Sequence, residues 1–318
     1  MRATSKMVLI GNGAVGSTFA YTVLLRGLVN ELVIIDSNQD KVMGDVLDLN
    51  HGLMLAQPMR ISAGTYADCA DASIIVITAG AAQNPGETRL DLMQRNVLIF
   101  DSIIKQVTQY NTEAILLIAT NPVDILTQVA LKLSGFPKHR VIGSGTLLDS
   151  SRFRYLVADK LGVDPRSVHG MIVGEHGDSE VPLWSSLSVG GVQLEAEPTA
   201  SRWHLTDDEK EEIYEETRGA AYRIIEKKGA TYYAIALSLV RICESILRDQ
   251  RSVLPVSSYV EDYHGISGVC LGVPSVVGKN GIEEVVPLPL SNEEREKLQA
   301  SANTLQEFIR QIGFAFNA

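Results

Sequence analysis

Short apolar runs rich in β-branched residues recur through the first half of the chain: "MVLIG" at 7–11, "LVIID" at 32–36, "SIIVITAG" at 73–80, "AILLIAT" at 114–120 and "RVIG" at 140–143. Runs of this length and composition suit strands buried on both faces of a parallel sheet. Between them, longer stretches with helical spacing cover 14–28, 88–110 and 123–134. The order strand, helix, strand, helix predicts a doubly wound α/β sheet.

After about residue 145 the texture changes. One helix is predicted near 147–162, followed by "SVHGMIVG" and "WSSLSVGGVQL" as strands. Asn280-Gly281, set between "PSVVGK" and "IEEVVPL", marks a hairpin. Thr206-x-x-Glu209 and Ser291-x-x-Glu294 have capping-box form and place helix starts there. In the last of these helices Leu298, Ala302, Leu305, Ile309 and Ile312 recur at spacings of 4, 3, 4 and 3, so one face must be buried. The acidic stretch "DDEKEEIYEETR" at 207–218 reads as the solvated, dipole-favoured start of a helix. Two units are expected, 1–145 and an α+β unit with antiparallel strands at 146–318. A helix near 232–250 belongs to the second by position and packs back on the first.

A chain of 318 residues has room for a substantial core, and 45% hydrophobic with 21% charged residues is ordinary globular composition. Charge narrows the partners: 28 basic against 38 acidic residues, net −10, would repel nucleic acid and anionic lipid surfaces. Cys69, Cys243 and Cys270 are odd in number and widely spaced, which argues against disulfides and a metal site and fits a reducing cytoplasm. Met7 to Leu25 carries no charge and could pass for a membrane span. Three glycines and Asn12 interrupt it, and a motif accounts for them better.

That motif is Gly11-Asn12-Gly13-Ala14-Val15-Gly16, a G-x-G-x-x-G that follows a predicted strand and opens a predicted helix. In that setting the glycines permit a tight turn and let a pyrophosphate reach backbone N–H groups at the helix N-terminus. Asp36, at the end of the next strand, can accept hydrogen bonds from ribose hydroxyls and would repel a 2′-phosphate. The first unit is therefore expected to be a Rossmann domain binding NAD rather than NADP, with a flavin as the weaker alternative.

Three further segments carry chemistry. "GEHGD" at 174–178 puts His176 between glycines after a strand. "LDSSR" at 148–152 offers Asp149 and Arg152 on the same side of a helix. "ATNPVD" at 119–124 ends an apolar strand with Asn121, at the edge that faces the ligand crevice in such sheets. Taken together and in order, these motifs resemble the L-lactate dehydrogenases of the lactate/malate dehydrogenase superfamily, from about Lys6 to Ile309.

The resemblance implies that His176 gives and takes the proton, paired to Asp149, and that Arg152 holds the substrate carboxylate. It also implies that Arg89 polarises the reacting carbonyl, that Asn121 hydrogen-bonds to it and that Thr231 lines the pocket. Val15, Asp36, Lys41, Tyr66, Gly80, Ala81, Ser102, Asn121 and Ser144 would contact the dinucleotide. The chemistry is coherent: as hydride reaches the carbonyl carbon, a cationic imidazole and a guanidinium stabilise the charge growing on oxygen.

Substrate preference turns on "GAAQNPGETR" at 80–89. In the relatives this loop closes over substrate, and those specific for malate carry an arginine where Gln83 stands. Gln83 offers no charge to a second carboxylate, whose burial unpaired would cost several kcal/mol. Pyruvate and lactate are expected; malate is disfavoured, and longer 2-oxo acids are excluded only weakly. A non-catalytic NAD-binding role is the rival from another class. Arg154 and His169 fall where allosteric bacterial members bind fructose 1,6-bisphosphate at a subunit interface, and the resemblance implies a homotetramer. No metal is expected.

Overall fold

The computed structural model describes residues 5–81, 89–196 and 201–314, with the side chain of Arg89 excepted. The first half runs β1 (Lys6–Ile10), α1 (Ala14–Arg26), β2 (Glu31–Ile35), α2 (Gln39–His51), β3 (Arg60–Ala63), β4 (Ile74–Ile77), α3 (Arg89–Tyr110), β5 (Ile115–Ile118), α4 (Val123–Ser134) and β6 (Val141–Gly143). These six strands pair in parallel, in the order 6-5-4-1-2-3, the doubly wound order expected. Every residue of β1, β4 and β5 is buried, as unbroken apolar runs require.

Two elements escaped the sequence pattern. Helix α2 buries only Val42 and Val46, too thin a stripe to stand out. Strand β3, an edge strand of four residues, buries only Ile61 and so carries a weak apolar signal.

The second half continues with α5 (Leu147–Leu161), β7 (Val168–His169), β8 (Ile172–Val173), β9 (Val181–Pro182), β10 (Ser188–Val189), β11 (Val192–Gln193), α6 (Asp207–Lys228), α7 (Tyr233–Leu247), β12 (Ser252–Val260), β13 (Val269–Gly278), β14 (Gly281–Val285) and α8 (Asn292–Gln311). The segment read as one strand, 167–174, is two: β7 joins β10, whereas β8 joins β9 in a different sheet. The chain turns at Gly170, where a Cβ would lie 2.7 Å from Leu187 and 2.9 Å from the Phe153 ring. The Asn280-Gly281 hairpin exists one residue off register. Lys279 and Asn280 form its loop, and Gly281 already pairs with Gly278.

Strands β12 to β14 add antiparallel to the edge of the parallel sheet, giving nine strands in the order 14-13-12-6-5-4-1-2-3. The junction is thin, a single Ser257–Gly143 pair. Both faces of this sheet are covered. Phe100, Ile104, Val107 and Val129 with Leu298, Leu305 and Ile309 cover one, and Phe19 and Val23 with Leu239, Val240 and Ile242 cover the other. Helix α7 thus packs against the first half, as its position in the chain alone would not require. Removing Phe19 or Phe100, both fully buried, would cost about 3–5 kcal/mol. A third cluster, around Phe153, Val157 and Leu187, holds α5 against β7 and β10. The apolar face of α8 is buried as its spacing predicts, and both capping boxes form. Among the described residues no helix is long and apolar enough to cross a membrane. The uncharged stretch 7–25 is a buried strand, a turn and most of α1.

Candidate functional site

A cleft of about 720 Å³ opens at the C-terminal ends of β1, β2 and β4, where an open α/β sheet places its ligands. Gly11 and Gly13 form its floor. Gly11 has φ +105°, and a Cβ there would sit 2.3 Å from the Ala79 nitrogen; a Cβ on Gly16 would sit 2.0 Å from the Gly11 carbonyl oxygen. Gly13 meets nothing within 4 Å, so the space beside it is open to a ligand. No side chain caps α1, which leaves its first-turn N–H groups for an anion.

Asp36 lines the same cleft. Burial raises its pKa most, yet hydrogen bonds from the Asn12 and Asn38 N–H groups and Ser37, together with the Lys41 charge, leave it below the ordinary value. Its Oδ2 accepts the Asn12 N–H at 2.5 Å, so the acid also anchors the glycine turn. Tyr66, Gly80 and Ser102 line the cleft as anticipated, and Gln39, Thr65 and Gln106 join them unanticipated. Six expected contacts stand apart from its lining, Gly16 and Asn121 among them. Lys41 is ion-paired to Asp45 at 2.6 Å, Val15 lies half-buried in α1, Ser144 is buried behind β6, and Ala81 sits at the rim.

Asn96 explains how the rim is held. Fully buried in α3, it accepts the Ala81 N–H at 2.8 Å and donates to the Asn121 carbonyl at 3.2 Å, tying the ends of β4 and β5 together. Asn121 itself is exposed, at the crevice edge.

The reacting groups gather around α5. Asp149, 2% exposed in its first turn, spends one oxygen on Arg152 at 2.8 Å and the other on His176 Nδ1 at 2.5 Å. An ionised carboxylate only accepts, so Nδ1 carries hydrogen and Nε2 is left to exchange a proton. Burial is the largest influence on His176 and disfavours its cation. The charge and hydrogen bond of Asp149, with the charges of Asp124 and Glu180, outweigh it and raise the pKa to about 9. Burial likewise works against the Asp149 anion, and His176 and Arg152 overcome it, so Asp149 stays below the usual carboxylate range.

Position comes from four anchors. The turn holding His176 begins at Gly174, whose N–H and carbonyl both bond Gly272 at 2.8 Å. The Glu175 N–H reaches Ser301 at 2.8 Å, and the His176 N–H reaches Asp124 Oδ2 at 2.8 Å. Asp124, in the first turn of α4, also accepts the Ser257 hydroxyl of β12 at 2.6 Å. Both halves of the chain therefore aim the imidazole.

Gln83, Pro85 and Gly86, with the Arg89 side chain, lie outside the described residues. Arg89 is the first residue of α3. Thr231 is half-buried between α6 and α7 and makes no hydrogen bond with the His176 cluster. Three residues on, Ala234 lines a cavity of about 360 Å³ with Leu148, Arg152 and Tyr155.

Residues 5–143 match the sequence model described as "lactate/malate dehydrogenase, NAD binding domain", and 146–316 match "lactate/malate dehydrogenase, alpha/beta C-terminal domain". The chain belongs to the lactate/malate dehydrogenase family. Among its relatives, an L-lactate dehydrogenase of Acetivibrio thermocellus is 49% identical over 313 residues, 98% of each chain. One from Thermoanaerobacterium saccharolyticum is 50% identical over 308 residues, covering 97% of this chain and 99% of its own. The solved minor L-lactate dehydrogenase of Enterococcus mundtii, in a ligands-bound form, superposes with a TM-score of 0.94 at 41% identity, covering 97% of this chain and 98% of its own.

In this family member, two carboxylates of the site went unread in the sequence. Asp124 was passed over at the end of "ATNPVD", where Asn121 drew the attention. The signal was its isolation, one acid in "VDILTQVALKLS" with every residue from Val123 to Leu131 buried. Glu180, four residues after His176, is 5% exposed. Nothing in "DSEVPLW" announced its burial.

A cavity of about 390 Å³ lies beyond the site, lined by Arg154, Arg166 and Arg241 from three elements. Arg166 is bound to Asp164 and Arg241 to Gln250 and Ser252, but Arg154 has no carboxylate partner among the described residues. His169 is exposed on β7 next to Gly170, which lines that cavity, while His169 itself does not.

Proposed function

We propose that this protein is an NAD-dependent L-lactate dehydrogenase, transferring hydride reversibly between NADH and pyruvate to give (S)-lactate and NAD. The observation that carries the reading is the shared carboxylate of Asp149, which charges and orients His176 while it holds Arg152 alongside. Held by the cleft residues, NADH would supply the hydride for the reduction. His176 Nε2 gives its proton to the carbonyl oxygen, and Arg152 pairs with the carboxylate through parallel hydrogen bonds. Asp149 keeps the imidazole cationic until transfer and stabilises its tautomer afterwards. Arg89 polarises the carbonyl, with Asn121 as a further donor and Thr231 as a wall.

The labour divides as the chain does. Residues 1–145 hold the dinucleotide, through Gly11, Gly13, Val15, Gly16, Asp36, Lys41, Tyr66, Gly80, Ala81, Ser102, Asn121 and Ser144. Residues 146–318 supply the acid–base pair, the carboxylate site and the oligomer contacts. Gln83 selects pyruvate over oxaloacetate.

Regulation and assembly follow the same reading. Arg154, unpaired and beside a cavity, suits a phosphate, and a second subunit would bring its own arginine and His169 to fructose 1,6-bisphosphate. A homotetramer is supported by apolar surface that a lone subunit leaves bare: Met54 and Leu55 are 91% and 92% exposed, with Tyr21, Leu25 and Tyr233 also exposed. Three buried free cysteines suit the reducing cytoplasm.

The test is NADH oxidation by purified protein with pyruvate, oxaloacetate and 2-oxoisocaproate. Pyruvate is expected to give the highest kcat/KM, and Gln83→Arg to shift the ratio toward oxaloacetate. Absence of turnover with all three would leave only dinucleotide binding, and faster turnover of the diacid would reverse the substrate assignment.

A further inference from the structure

Glu180 stands just before β9 and takes no part in the proton and carboxylate contacts described above. Its main chain is held, the N–H by the Gly177 carbonyl at 3.2 Å and the carbonyl by the Tyr214 hydroxyl at 2.9 Å. Its side chain is not. Oε1 is buried without a hydrogen-bonding partner among the described residues.

The groups that act on this carboxyl are Asp149 and Arg152 of α5, His176, and Arg218 and Tyr214 of α6. Each cation among them already has an anion: Arg152 and His176 share Asp149, and Arg218 is bound to both oxygens of Glu215 at 2.8 and 2.9 Å. Burial above all, then the negative charge of Asp149, pushes the Glu180 carboxyl up to about 8 against the pull of His176, Arg152 and Arg218. A carboxylate oxygen buried without a donor favours the neutral acid.

We propose that Glu180 is a positioning acid beside the His176, Asp149 and Arg152 cluster, which must be an uncharged carboxylic acid for a 2-oxo acid to settle against Arg152. Productive capture then requires two protonated groups, His176 and Glu180. The proposal rests on the dehydrogenase reading above. With Glu180 neutral, Asp149 and the substrate carboxylate balance Arg152 and the imidazolium. Ionised, Glu180 adds a negative charge that nearby cations already paired to other carboxylates offset only in part, in surroundings where water screens poorly, and the anionic substrate is repelled. The proton comes from solvent and returns to it on release, and no covalent bond to carbon changes.

The experiment is the alkaline limb of kcat/KM for pyruvate with NADH, followed to pH 10.5 in wild type and Glu180→Gln. Past both pKa values the wild type is expected to lose about a hundredfold per pH unit and the variant about tenfold, whatever its absolute rate. The variant-to-wild-type ratio therefore climbs about tenfold per unit in that range. A one-proton slope in the wild type, or a two-proton slope kept by Glu180→Gln, overturns the proposal. If the variant does not fold, the wild type alone decides. Calorimetry in two buffers counts the protons taken up when oxamate, a pyruvate isostere that accepts no hydride, binds the NADH complex at pH 9.5. More than one proton supports the second acid, and one or fewer overturns it. Turnover of pyruvate near pH 6.5, where both groups carry protons, tests the dehydrogenase reading separately.

Discussion

At the scale of single residues, Asp149 governs the pH behaviour of the site. In Asp149→Asn, His176 loses the charge and the hydrogen bond that chiefly oppose its burial, so its pKa drops from about 9. The fall of kcat/KM for pyruvate with rising pH is expected to begin at least ~1 unit lower than in wild type. An unshifted limb would show that the ion pair does not set the proton donor. The same pair is linked to folding. His176 is raised from 6.5 to about 9, so its contribution is complete below 6.5 and lost as pH climbs through about 9. Arg152 is a matter of geometry rather than charge alone. Lysine cannot bond Asp149 and a carboxylate in one plane, so Arg152→Lys is expected to raise KM for pyruvate by about tenfold or more, measured by steady-state kinetics at neutral pH.

Elements carry the second level of the argument, since the chemistry depends on where strands end and helices begin. The turn from β1 into α1 works because Gly16 lets the first helical turn lie against the Gly11 carbonyl. With a Cβ 2.0 Å from that oxygen, Gly16→Ala has to displace the turn that forms the floor of the cleft. NADH affinity, read by fluorescence titration, is expected to weaken by about tenfold or more while the far-UV spectrum persists. Unchanged affinity would place the dinucleotide elsewhere. The start of α4 matters for another reason. Asp124 there holds the backbone of His176 and a hydroxyl of β12, so one helix N-terminus sets the register between the parallel strands and the histidine turn. The GxGxxG turn was legible because its constraint is local, whereas the role of Asp124 depends on partners 52 and 133 residues away.

For the whole molecule, the nine-stranded sheet carries a core on each face, and each core draws side chains from both halves of the chain, one of them through the return of α7 to α1. The surface is less complete. Arg154 lines a cavity with no carboxylate partner among the described residues, and α1, α2 and the segment after it present exposed apolar side chains. Fructose 1,6-bisphosphate is expected to lower the apparent KM for pyruvate and to favour a larger assembly in sedimentation. Arg154→Gln should remove both effects together. Saturation curves and sedimentation identical with and without the sugar bisphosphate would rule this regulation out.

What the amino-acid order determined alone were features written in neighbouring residues. The buried strands announced themselves as apolar runs, the dinucleotide turn as spaced glycines followed by Asp36, and α6 and α8 by their capping boxes and periodicity. The histidine, the aspartate and the arginine were visible as residue types in suggestive settings. Only the tertiary structure decided that Asp149 serves His176 and Arg152 at once, that Asp124 and Asn96 lock strand ends together, and that Glu180 lies buried without a partner. It also decided that β12 to β14 extend the first sheet, and that 167–174 divides between two others. Propensity and periodicity act over a few residues, whereas the charge state of a buried carboxyl is set by groups that meet only when distant segments pack and water is expelled.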